Sequence, residues 1–291
     1  VTEQEKMKQS GEFPTWYFAF TFAWAWVFWA VPLCTTRGWL TQPTLGGLRN
    51  LFLIVGAYAP FVAAFALSFR DGTAWALFKR AFRWRIPPLV LVTALLLFPA
   101  LAGVAIWLHS MQGGPKFGFT IGWHDVPLVM FFLFFLGGSF NEEFGWAYAI
   151  DRIQTRWGYV KGSLLLGVLW ALWHLPLFFM PTQSQFYMPF WTFLILCCSM
   201  RLLFVWAYNC AGQSILVTLL FHTSANFTPN LISILNPAVS AARQASWMYY
   251  VALGAVAAVA AVAVAFFHVR RERGRESDVD RGVELIASGD A

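Results

Sequence analysis

The chain has 291 residues, 59% of them hydrophobic and 12% charged, and carries a net charge of +6. A soluble domain carries about twice that charged fraction, and the apolar residues here fall in blocks long enough to cross a bilayer, which takes about 20 helical residues. A single soluble core is therefore excluded, and the basic residues mark loops between spans, so the expected partner is the lipid bilayer and no nucleic acid.

The N-terminal stretch VTEQEKMKQSGEF is polar and does not look like a cleaved signal peptide, so the first apolar block is expected to be a retained span. Eight apolar blocks follow, at about 16–34, 51–69, 88–108, 126–149, 162–180, 188–208, 214–234 and 247–268. Backbone groups in lipid must pair within their own segment, which predicts an all-α polytopic membrane protein of about eight transmembrane helices. The expected organisation is one transmembrane domain over 1–268 and a polar, disordered cytoplasmic tail over 269–291. Trp16, Trp107, Trp123, Tyr208 and Tyr249 sit near block ends, as interfacial anchors do. The first block, rich in Trp and Phe, is expected to be a lipid-facing and packing surface. Cys34, Cys197, Cys198 and Cys210 lack CxxC spacing and read as small apolar residues within helices. His109, His124 and His268 are placed near interfaces, where polar groups snorkel. The stretch KRAFRWRIPP is expected to be a solvated cytoplasmic loop touching anionic lipid. Pro176, Pro181 and Pro229 are expected to kink helices near a cavity.

Charge placement orients the chain. In an eight-span arrangement one side receives fifteen Lys and Arg, the other receives four, and Arg201 is left inside a span. The positive-inside rule puts both termini in the cytoplasm, and the cell membrane is the expected location.

Ionisable side chains within a span cost about 2.5–3.5 kcal/mol and usually face a cavity or a partner. Glu142 and Glu143, His174, Arg201, and His222 with Asn226 are such residues, on four successive blocks of alternating direction. Counted from the cytoplasmic boundary at 1.5 Å per residue, all fall at a depth of about 12–20 Å. One layer holding all of them is a candidate site. His222 and Asn226, four apart, share a helix face. Glu142 and Glu143 diverge by about 100°, so one is expected to do chemistry while the other takes a structural partner.

The segments NEEFGWAYAIDRIQ, LLLGVLWALWHLPLFF and GQSILVTLLFHTSANF resemble, in order and spacing, three motifs of the CPBP family, the CAAX-protease and bacteriocin-processing group of intramembrane proteases. The resemblance covers about residues 140–226. It implies a CAAX-protease-like eight-helix bundle with a site open to the cytoplasm, and peptidase activity on a membrane-anchored or lipidated protein or peptide. It also implies that Glu142 is the water-activating glutamate and Glu143 its paired neighbour. His174 matches the second motif, and His222 and Asn226 match the third. The first motif often reads EExxxR, and Ala147 stands where that arginine would be. Arg201, in the same predicted layer, is expected to pair with Glu143 or Glu142 in its place.

Peptide hydrolysis needs an activated water, a stabilised oxyanion and a proton for the leaving amine. Glu142 is the expected general base, His174 the residue that orients the water, and His222 with Asn226 the donors to the water or oxyanion. No cofactor is required by this scheme. The alternative is zinc held by Glu142, His174 and His222, although no HExxH helix is present. Two other functions fit the same residues: a non-catalytic immunity or scaffold protein on this fold, and a transporter using the intramembrane Glu, His and Arg.

Overall fold

A computed structural model describes residues 13–41, 43–111, 121–231 and 249–271, and among them there is helix and no strand. The predicted N-terminal polar stretch up to residue 12, and the tail from 272, lie outside the described residues. The main helices are α1 (Thr15–Thr36), α2 (Arg49–Ala57), α3 (Ala59–Arg70), α4 (Pro88–Met111), α5 (Val126–Phe135), α6 (Ser139–Trp173), α7 (Phe190–Cys210), α8 (Ile215–Leu231) and α9 (Tyr249–Arg271).

Among the described residues, each of the eight predicted blocks falls on helix. Five of these helical runs are long and apolar enough to cross a membrane, or six if α2 with α3, bent by 43°, is one broken span. One of the five is the 54-residue run Val126–Phe179. As a straight helix it would reach about 80 Å, against a hydrocarbon core of about 30 Å. The chain reverses inside α6 at Gly158, whose φ of 71° and ψ of 178° leave the helical region. The reversal lays 159–173 antiparallel to 139–157, so two predicted blocks occupy the two arms.

The breaks follow from the sequence, and their exposed backbone groups find partners. Pro60, at the start of α3, has no N–H to continue the ladder from α2. The carbonyls near the end of α2 are taken up by side chains: Trp29 Nε1 donates to Leu53 O at 3.0 Å, Trp24 Nε1 to Val55 O at 2.9 Å, and Asn141 Nδ2 to Ala57 O at 3.0 Å. The aromatic face of α1 thus packs and hydrogen-bonds, while Trp16 at its start is exposed. The block expected as one span over 126–149 is broken at Gly137–Gly138, because φ is 115° at Gly138. The helix of the 162–180 block stops at Trp173, and Pro176 lies in a 3₁₀ turn, Leu175–Phe179.

Two expectations about charged or polar loops are corrected. Arg80, read as part of a solvated loop, is buried against Asp151 at 2.6 Å, and Tyr208 donates to the same carboxylate at 2.7 Å. His109, expected to snorkel, is buried on the α4 face that also buries Ala94, Phe98, Ala102 and Ala105, one residue per turn. His124 is exposed, and His268 rests edge-on against Tyr159 with ring centroids 4.9 Å apart.

Candidate active site

The Gly137–Gly138 turn makes the site, because it restarts the helix so that the glutamates lie in the first turns of α6. Glu142 N donates to Gly138 O at 3.0 Å, which begins the ladder. Helix α8 is tied to the same turn by Thr223 Oγ1 to Ser139 Oγ at 2.9 Å and by Asn226 Nδ2 to Gly137 O at 2.6 Å. His222, one turn before Asn226, thereby faces the glutamates.

The glutamates part company as their helical offset requires. Glu143 points to α7, where Arg201 donates Nη1–H to Oε2 at 3.1 Å and Nη2–H to Oε1 at 2.6 Å. Its Oε1 also accepts from His222 Nδ1 at 2.8 Å. A carboxylate accepts only, so Nδ1 carries the hydrogen and Nε2 is left facing the site. Glu142 points the other way. Its Oε2 accepts from two indoles: Trp146 Nε1 at 3.0 Å and Trp170 Nε1 at 2.6 Å. Both carboxylates are almost fully buried, with Glu142 4% and Glu143 1% exposed.

His174 follows the last residue of α6, at its C-cap. Its Nδ1 lies 2.9 Å from Trp170 O; a carbonyl only accepts, so Nδ1–H is the donor and the neutral ring keeps its lone pair on Nε2. Glu142, His174 and Gly137 border two cavities, of about 300 Å³ and about 210 Å³. The larger is also walled by His222, Asn226 and apolar residues such as Phe98, Met188 and Tyr250. A methyl group built on Gly138 would lie 2.9 Å from Glu142 Oε1, 3.1 Å from His222 Nε2 and 3.2 Å from Asn226 Nδ2. Three polar atoms from two helices therefore converge on one small space that only a glycine leaves open.

All six residues singled out in the sequence are brought together, but in two sets. Glu142, His174, His222 and Asn226 line the larger cavity, whereas Glu143 and Arg201 stand behind it. Arg201 and Ala147, the position of the motif arginine, wall the same gap of about 10 Å³. Among the described residues no three His, Cys, Asp or Glu side chains are grouped as metal ligands are. Sequence reasoning missed Gly138, Trp146 and Trp170. Trp146 follows Glu142 by four residues and was open to a same-face argument; Trp170, on a different block, carries no signal that links it to Glu142.

The class these features define is an all-α polytopic membrane protein with a paired-glutamate and histidine site sunk among its helices. The family described as Type II CAAX prenyl endopeptidase Rce1-like matches residues 123–228, a stretch that contains every site residue above. CAAX prenyl protease 2 of Methanococcus maripaludis is 29% identical over 239 residues, covering 76% of this chain and 85% of that protein. These likenesses support this chain as a CPBP-family intramembrane protease, a hydrolase with endopeptidase activity.

Proposed function

We propose that this chain hydrolyses a peptide bond in a membrane-anchored or lipidated protein or peptide, using a water activated by Glu142 and no metal. The relative's printed name makes a CAAX protein the substrate class to test first. The observation that carries the reading is the convergence of Glu142 Oε1, His222 Nε2 and Asn226 Nδ2 at the wall of the larger cavity.

A water at this wall gives a proton to Glu142 Oε1 as its oxygen attacks the scissile carbonyl carbon, and the His174 Nε2 lone pair accepts its other hydrogen and fixes its direction. The walls keep bulk water from the carboxylate, so the proton it takes is held for the later step. Negative charge moves to the carbonyl oxygen. Asn226 Nδ2–H donates to that oxygen, and His222 Nε2, fixed by the Nδ1–H bond to Glu143, lies beside it. Such a donor is worth about 10²–10³ in rate. The tetrahedral centre then collapses, the C–N bond breaks, and protonated Glu142 returns its proton to the leaving amine. Both termini lie on the cytoplasmic side in this reading, and both cavities are bordered by the 183–188 segment that joins α6 to α7.

Glu142→Gln keeps the shape and the indole hydrogen bonds but removes the base. In proteoliposomes holding a membrane-anchored CAAX peptide, cleavage by the variant falls at least about 10³-fold at unchanged thermal stability. Wild-type protein retains its activity with chelator and carries less than one zinc per chain. Full cleavage by Glu142→Gln defeats the mechanism, and stoichiometric zinc with chelator-sensitive activity defeats its metal-free form.

A further inference from the structure

Both hydrogen bonds that hold Glu142 come from tryptophan indoles, and both fall on the same oxygen. Trp146 reaches Oε2 from one turn along the same arm of α6, and Trp170 reaches it from the returning arm. The terminal torsion of a glutamate is broad and nearly two-fold, so an unheld carboxylate turns either oxygen to the cavity and swings its plane. Trp170 is itself fixed: its ring lies under the Arg201 guanidinium, 4.0 Å from the centroid, and its carbonyl accepts from His174. Arg201 therefore bears on both glutamates, on Glu143 directly and on Glu142 through the face of Trp170.

We propose that Trp146 and Trp170 are positioning residues that select the reacting oxygen of Glu142: their N–H groups hold Oε2, so that Oε1 alone is turned to the space over Gly138 that it shares with His222 Nε2 and Asn226 Nδ2. The inference rests on the hydrolytic reading above. It assigns to the reaction two residues that act through Glu142, of which Trp170 also walls the larger cavity. A base held this way loses rate when its hold is cut, without losing substrate affinity, because productive geometry tolerates only about 0.5 Å and 10–20° of error.

The test compares Trp146→Phe, Trp170→Phe and Trp24→Phe in the full chain. Trp24 is a half-buried control whose indole donates to Val55 O instead. Removing either Glu142 donor lowers kcat about tenfold or more with KM within about twofold, whereas Trp24→Phe leaves kcat within about threefold. Should a phenylalanine variant unfold, benzothienylalanine at 170 keeps the ring volume and deletes only the N–H. A second readout needs no activity: the Glu142 carboxylate band, isolated as the infrared difference between wild type and Glu142→Gln, shifts when the Trp170 donor is removed. An unshifted band, an unchanged kcat in folded donor variants, or an equal loss in Trp24→Phe overturns the proposal. An inactive wild type, or an active Glu142→Gln, would instead defeat the hydrolytic reading while leaving the infrared result standing.

Discussion

Adjacent side chains on a helix diverge by about 100°, and that single fact divides Glu142 from Glu143. Glu143 is 1% exposed and takes two hydrogen bonds from Arg201 and one from His222. Removing one partner of a buried ion pair costs about 3–5 kcal/mol, because the remaining charge is left without compensation. Arg201→Ala is therefore expected to lower the thermal midpoint in detergent sharply. Ala147 walls the same gap as Arg201, so an arginine placed at 147 enters the space that Arg201→Ala vacates. The double variant Arg201→Ala with Ala147→Arg recovers at least half of the lost stability, whereas Ala147→Arg alone destabilises by crowding two cations. A double variant no more stable than Arg201→Ala would show that Arg201 does not stand in for the motif arginine. The acid, base and amide groups were legible in the sequence because an ionisable residue in an apolar block is costly unless it meets a partner or a cavity. Trp146 and Trp170 were not, since the chain has 16 tryptophans and an indole N–H with a task looks like any other aromatic packing residue.

The elements were legible as blocks and illegible as breaks. An apolar run announces its length, but glycine is common inside membrane helices, so the pair Gly137–Gly138 gave no signal that α5 ends and α6 begins there. That break is what brings Glu142 to the cavity. Alanine at 138 meets two penalties. One is backbone strain at φ 115°, of about 1–3 kcal/mol. The other is a methyl group within 2.9–3.2 Å of the three converging polar atoms. Gly72 and Gly212 separate the two effects, since they have φ of 69° and 62° and nothing within 4 Å of an added methyl. Gly72→Ala and Gly212→Ala are expected to lose stability and keep kcat, whereas Gly138→Ala loses kcat by at least about 10²-fold, the scale of one lost oxyanion or base contact. Comparable kcat in all three would mean that the space over Gly138 takes no part in the reaction.

Across the whole molecule, contacts that the charge count never used group the loops at two ends. At one end Arg80 pairs with Asp151, Arg83 donates to Gly212 O, Gln154 bonds Asn209, and Phe13 packs on Trp157 beside the Gly158 reversal. At the other, Arg37 donates to Phe179 O, which joins the end of α1 to the 3₁₀ turn after α6. The first end carries the basic loops, and by the positive-inside rule it is the expected cytoplasmic end. Arg80 was counted there as a solvated charge. It is buried against Asp151 at that same end, a partner that periodicity does not contain. Single cysteines placed in a background lacking Cys34, Cys197, Cys198 and Cys210 test the arrangement with a membrane-impermeant thiol reagent. Arg85→Cys is expected to react only from the cytoplasmic face of inverted vesicles, and Trp39→Cys, at the end of α1, only from the opposite face. Reaction of both from one face would mean that α1 does not cross between these ends, and the site would then lie at a different depth from the surface its substrate approaches. Exchange of the two faces would keep the fold and bring the 183–188 segment, which borders both cavities, to the cytoplasmic side, from which a cytoplasmic lipidated protein would approach.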